Sequence, residues 1–271
     1  MSMDKRFAVL IDADNVAPKF ISSIMDELSN EGTITYKRIY GDWTRPDLGA
    51  WKRVLLDYSI TPIQQYSYTT GKNATDSAMI IDAMDILYAE KVDGFCIVSS
   101  DSDFTRLAAR LREAGVYVIG MGEKKTPKPF IAACDKFKYL EVLAQSAAAA
   151  AAAEASIRHN SHSSTQQQNS HASSNGDNSA QHGNTVDQPQ TSMRTIRKAI
   201  IAIVDEISDD DGWAPLSHIG NILLKRFPDF DVRNYGFLKL TKLMKSCNCF
   251  EISAVSSKDG NKLVYVRNIE N

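Results

Sequence analysis

The chain has 271 residues, 43% of them hydrophobic, which is room for one large domain or two ordinary ones with real cores. Its 31 basic and 33 acidic side chains nearly cancel, which excludes a histone-like binder working by bulk charge. Four scattered cysteines exclude a disulfide framework, and Cys247-Asn248-Cys249 lacks the two-residue gap of a zinc knuckle.

The opening residues 1–6 carry no apolar leader, and no run of about eighteen apolar residues follows. A cytoplasmic location with no membrane partner is the expectation. Residues 5–144 alternate strand and helix patterns. Strands are expected at Phe7–Ile11, Thr33–Tyr40, Ile60–Tyr66, Gly94–Ser99 and Val116–Met121. Helices are expected near Pro18–Ser29, Leu48–Tyr58, Thr75–Glu90 and Phe104–Ala114. That alternation predicts βαβ units, hence an α/β domain with a mostly parallel sheet covered on both faces.

Residues 145–192 change character. Seven alanines follow Ser146, and a Ser/Asn/Gln/His tract runs on to Gln190. The alanines can extend the preceding helix by a few turns. The remainder has too few large apolar residues to offset ordering entropy and is expected to be a flexible linker. Four of the five histidines lie in it and read as part of a solvated polar tract. Apolar order resumes over residues 193–269. Ile196, Ile200, Ile203, Val204 and Ile207 keep a helical period, and Ser217–Phe227 and Asn234–Lys245 read as two further helices. Phe250–Val255 and Lys262–Arg267 read as a hairpin, so this segment has a winged-helix pattern.

The chemistry concentrates in the first domain. Residues 1–144 contain no histidine, which removes the usual general base and a Ser-His-Asp triad. Asp12 and Asp14 follow one strand, Asp101 and Asp103 follow another, and Asp76 opens a helix. A parallel sheet gathers its ligands at the carboxyl ends of its strands. Carboxylates converging there repel one another unless a cation neutralises them, and oxygen-only donors suit Mg²⁺ or Mn²⁺. A helix cap is the alternative role for Asp76 or Asp103. Asn15 either donates to a phosphate oxygen or caps the first helix. Lys72 either balances phosphate charge or is a solvated loop lysine. Asp82 and Asp85 are expected on helix faces away from Asp76.

Three segments carry a resemblance: residues 10–16 (Leu-Ile-Asp-Ala-Asp-Asn-Val), Lys72 with Asp76 and Asp82, and residues 99–104 (Ser-Ser-Asp-Ser-Asp-Phe). Together they resemble the three motifs of the NYN domain, a branch of the PIN-like nuclease superfamily, over roughly residues 5–143. The resemblance implies a Rossmann-like (PIN-like) sheet and a Mg²⁺- or Mn²⁺-dependent endoribonuclease. It implies Asp12, Asp76, Asp101 and Asp103 as the catalytic metal ligands, with Asn15 beside the substrate. Ser100 stands where that family often has glycine, and the Lys72–Asp76 spacing is slightly wide.

Residues 193–267 resemble an OST-HTH (LOTUS) winged helix, through Ile200–Val204, residues 213–220, Leu224–Phe227, residues 235–240 and residues 250–252. The resemblance implies RNA as the partner, with a protein partner as the other reading. Arg226, Arg233, Lys239, Lys242 and Lys245 surround the third expected helix and are candidate phosphate contacts. Trp213 and Tyr235 either stack on bases or belong to the core.

Two other functions fit parts of the chain. In a haloacid-dehalogenase-type phosphatase, Asp12 would be the nucleophile and Asp14 the acid, but Asp101-Ser102-Asp103 fits that class poorly. In a catalytically idle RNA- or protein-binding scaffold, the carboxylates would have no substrate.

Overall fold

The computed structural model describes residues 4–66, 74–160, 191–256 and 262–269. Six strands form one sheet: β1 (Arg6–Asp12), β2 (Thr33–Gly41), β3 (Thr61–Gln64), β4 (Gly94–Val98), β5 (Tyr117–Gly122) and β6 (Lys136–Tyr139). Their order is β3-β2-β1-β4-β5-β6, and every neighbouring pair is parallel. β1 and β4 lie at the centre and are buried almost throughout. That is why they read as unbroken apolar runs.

Six helices connect and cover the strands: α1 (Ile21–Ser29), α2 (Trp51–Asp57), α3 (Ala74–Tyr88), α4 (Thr105–Glu113), α5 (Lys128–Ala133) and α6 (Leu140–Asn160). On one face Ile24 and Leu28 of α1, Trp51 of α2 and Leu140 of α6 pack over Phe7, Val9 and Ile11. On the other face Met79 and Ala83 of α3, Leu107 and Leu111 of α4 and Phe130 of α5 pack over Ala8 and Leu10. The strand period of two thus feeds two cores from one sheet.

The expected α/β sheet is present, with one strand (β6) and two helices (α5 and α6) beyond those expected. β6 and α5 are short, and Lys136-Phe137-Lys138-Tyr139 reads as a half-solvated alternation. The alanine run continues α6 to Asn160, because alanine has the highest helix propensity. The expected linker therefore begins inside a helix, and residues 161–190 lie outside the described residues.

The second domain contains α7 (Met193–Ile207), β7 (Ala214–Pro215), α8 (Leu216–Arg226), α9 (Leu240–Ser246), β8 (Phe250–Ser256) and β9 (Lys262–Asn268). The strands form an antiparallel sheet in the order β7-β9-β8. Ile196, Ile200, Ile203, Ile219, Leu223, Leu243 and Val266 fill its core. The helix expected over Asn234–Lys245 is split. A 3₁₀ turn, Val232–Tyr235, ends at Gly236 with φ +80°, and α9 starts only at Leu240. Glycine takes that left-handed conformation without a Cβ penalty.

The two domains touch. The Phe137 amide of the sheet's edge strand β6 donates to the Pro228 carbonyl at 2.7 Å. The second domain therefore covers an edge that would otherwise present unpaired backbone groups. Thr191, at the far end of the expected linker, is itself held by Asp229. Contact, and not tether length, fixes the place of the second domain.

Packing at the end of β5 is equally tight. A Cβ on Gly122 would lie 2.5 Å from Thr126 Oγ1 and 2.6 Å from the Ser99 carbonyl oxygen. Gly122→Ala is expected to cost about 1–3 kcal/mol in urea denaturation, because backbone must shift. A loss within 0.5 kcal/mol would mean that the Ser99 turn yields easily.

Candidate metal centre

The chain leaves β1 toward β2 on one side and leaves β4 toward β5 on the other. The sheet order therefore reverses between β1 and β4, and a crevice opens at their carboxyl ends. Asp12 is the last residue of β1, and Asp101 follows β4 by three residues. Asp76 lies in the first turn of α3. Three segments far apart in sequence thus deliver carboxylates to one place.

Asp76, Asp101 and Asp103 each offer a carboxylate oxygen, and these oxygens lie within 4.8 Å of one another. Asp101 also caps the short 3₁₀ turn Ser102–Phe104, accepting from the Asp103 amide at 2.9 Å. Capping and convergence thus coexist in one residue. The Asp76 carboxyl is pushed up to about 6, first by burial and then by the charges of Asp12, Asp101, Asp103 and Asp14. The donor set is oxygen only, and neutralising it would relieve that repulsion. These residues fit a hard divalent cation such as Mg²⁺ or Mn²⁺.

Asp12 stands beneath this trio and is fully buried. Its Oδ1 accepts from the amides of Asp14 and Asn15 at 3.0 and 3.3 Å. Its Oδ2 accepts from Asn15 Nδ2 at 2.8 Å and Ser99 Oγ at 2.7 Å. Burial raises its pKa, while the hydrogen bonds from Ser99 and Asn15 oppose the rise. Within the described residues Asn15 therefore serves Asp12. Ser99 Oγ also accepts from the Asp101 amide at 3.0 Å, so one hydroxyl ties the end of β1 to the Asp101 turn.

Asp14 turns away from the trio. It accepts from Arg45 Nη1 at 2.7 Å and from Thr75 Oγ1 at 3.0 Å. Asp82 accepts from Arg38 and the Tyr40 hydroxyl, and Asp85 is exposed. Neither joins the trio. Lys72 lies outside the described residues. Sequence reasoning did not single out Ser99, Thr75 or Arg45 for these roles. Ser99 had a local signal, a hydroxyl between a strand end and an aspartate. Arg45 had none, because its partner is 31 positions away.

In the second domain Lys239, Lys242 and Lys245 are exposed and recur every three positions along α9. Arg226 pairs with Glu206 at 2.5 Å. Arg233 pairs with Asp231 and with Glu27 of the first domain, so it does not join the α9 lysines. The Arg267 guanidinium lies over the Trp213 ring at 4.8 Å. The Tyr235 hydroxyl donates to the Thr191 carbonyl at 2.8 Å, and its ring leans on Phe230.

The parallel sheet, with acidic groups at its switch point, has the α/β PIN-like fold. The chain belongs to the NYN-domain family, whose domain matches residues 6–141. The OST-HTH/LOTUS domain matches residues 191–261. A solved protein of unknown function from Vibrio parahaemolyticus is 19% identical, with a TM-score of 0.44, over 51% of this chain and 94% of that one. An uncharacterized protein from Nitrosomonas europaea is 29% identical, with a TM-score of 0.26, over 39% of this chain and 94% of that one. No curated protein matches. Among the described residues, no helix is long and apolar enough to cross a membrane.

The raised pKa of Asp76 has a defined sign. Its ionised form is penalised in the folded state, so the penalty is present above about pH 6 and fades as pH falls through 6. Asp76→Asn without added metal is expected to raise Tm at pH 7.5 by about 2–4 °C, on the order of 1 kcal/mol. At pH 5 the gain should shrink. Mn²⁺ should raise the Tm of the wild type and raise that of the variant less. A variant that melts lower at pH 7.5, with an undiminished Mn²⁺ shift, would refute the repulsion.

Proposed function

We propose that this protein is a metal-dependent endoribonuclease whose winged-helix domain captures the RNA. One observation carries the reading: carboxylates from the start of α3 and from the turn after β4 converge at the sheet's switch point in a chain of the NYN family. Asp76, Asp101 and Asp103 would hold Mg²⁺ or Mn²⁺, with Asp12 beneath them as the fourth acidic group. When bound, such a cation supplies a Lewis acid for the scissile phosphate and lowers the pKa of water.

The chain's own residues do the rest. Asp12 and Ser99 hold the two strand ends in register, so the trio keeps its spacing as charge changes. Asn15 keeps its amide on Asp12 and sits where a phosphate oxygen would approach. With no histidine in residues 1–144, carboxylates are left to accept the proton from attacking water. Lys239, Lys242 and Lys245 give the second domain a row of cations for RNA phosphates. A phosphatase nucleophile at Asp12 is disfavoured, because both its oxygens already accept two hydrogen bonds each.

Incubating the protein with end-labelled RNA in Mg²⁺, Mn²⁺ or EDTA tests the reading. Cleavage should require the cation, and Asp101→Asn should lose at least about 100-fold in rate, a loss of about 3 kcal/mol in transition-state stabilisation. Asp14→Asn should keep measurable activity. RNA binding without cleavage under every cation would favour the scaffold instead.

A second measurement addresses capture. Changing Lys239, Lys242 and Lys245 together to Ala should raise the RNA concentration for half-maximal cleavage roughly tenfold and flatten its salt dependence, with the saturated rate unchanged. An unaltered half-maximal concentration would remove α9 from the RNA surface.

A further inference from the structure

The contact between the domains contains a network of four charged side chains, two from each side. Glu27 of α1 and Lys138 of β6 belong to the first domain; Asp231 and Arg233 belong to the second. Lys138 Nζ lies 2.5 Å from Asp231 Oδ2 and 3.2 Å from Glu27 Oε1. Arg233 donates to both Glu27 oxygens, at 3.0 and 2.9 Å, and its Nη2 lies 2.6 Å from Asp231 Oδ2. The Glu27, Lys138 and Asp231 side chains are only 14%, 8% and 9% exposed, so this is a closed network and no surface pairing.

A layer of hydrogen bonds surrounds it. The buried Asp229 accepts from the Tyr139 hydroxyl at 3.2 Å and from the amide and hydroxyl of Thr191 at 2.9 and 2.8 Å. Asn234 Nδ2 donates to the Asp229 carbonyl at 2.7 Å, and Tyr235 holds the Thr191 carbonyl. Phe137 adds its backbone bond to Pro228. The segment Pro228–Tyr235 is thus built to fit the carboxyl half of β6.

Charge matching is the telling feature. Within the network two acids meet two bases, and each domain carries one of each. Burial pushes Glu27 and Asp231 up, but Arg233 and Lys138 outweigh it and leave both carboxyls below their ordinary values. If the domains part, Glu27 keeps Lys138 and Asp231 keeps Arg233, so each of the four keeps a partner of opposite charge. Removing a partner from a buried pair is what costs most. Such a contact can close firmly without making either domain unstable alone.

We propose that Glu27, Lys138, Asp231 and Arg233 form an ionic latch that fixes the winged helix on the edge of the catalytic sheet, so that captured RNA is cut at a set distance from its binding site. These are positioning residues, since none touches the carboxylate trio. β6 is the edge strand of the same sheet whose central strands β1 and β4 carry the metal centre, so a latched second domain keeps a fixed position relative to that centre. The cutting distance rests on the nuclease reading; the latch itself does not.

The test uses the full chain, small-angle X-ray scattering and cleavage mapping on a long end-labelled RNA in Mn²⁺. Wild type should scatter as a compact chain, with a radius of gyration of about 20 Å. Arg233→Glu sets three acids against Lys138 and should open the molecule by several ångströms. It should also spread the cut positions while lowering the saturated rate less than twofold. Glu27→Arg combined with Arg233→Glu restores two acids and two bases across the contact, and it should restore both the compact form and the narrow cut pattern. Lys138→Glu attacks the latch from the catalytic side and serves if the second domain unfolds in the Arg233 variant. Scattering of wild type as two separate bodies, or charge-reversed variants as compact as wild type, would overturn the latch. Opened variants that cut at unchanged positions would overturn its positioning role. Failure of wild type to cut any RNA would sink the nuclease reading, and scattering would still decide the latch.

Discussion

Repulsion among carboxylates at the ends of β1 and β4 is the constraint around which the first domain is arranged. A parallel sheet brings its strand ends together whatever their charge. The fold answers each acid differently. Asp12 is buried under four hydrogen bonds, Asp14 is turned to Arg45, and Asp82 is turned to Arg38 and Tyr40. What remains is a trio that faces itself, with Asp76 pushed up to about 6. Stability is given up there, and charged groups held against their preference mark a functional site.

Ser99 shows how small the supporting parts are. Its hydroxyl donates to Asp12 and receives the Asp101 amide. Buried polar groups of this kind are costly when half satisfied and rigid when fully satisfied. The packing around Gly122 leaves no room for that turn to drift.

Much of this was legible because it depends on local pattern. Phe7–Ile11 and Gly94–Ser99 are apolar runs too short for helices, and both end in acidic turns. The period of residues 196–207 gave the first helix of the second domain. β6 was not legible, since Lys138 sits at a position that looks solvent-facing until the second domain covers it, and Lys136 pairs with the distant Glu31. The split near Gly236 was hidden for the opposite reason: apolar spacing continued across it, while one glycine in a left-handed conformation broke the helix. Arg233 read as an RNA contact because sequence shows charge but not partner. Its partner Glu27 is 206 positions away.

The two charged clusters separate by a simple physical rule. In the latch, acids and bases are equal in number, and the carboxyls of Glu27 and Asp231 are pulled below their ordinary values. Such a cluster is complete and has no need of an ion. At the switch point the acids converge on one another, and Asp76 is driven upward. A bound cation would relieve that repulsion. Burial acts on both sites alike, so the direction of the carboxyl shift, and not the density of acidic residues, distinguishes a structural network from a place that recruits metal.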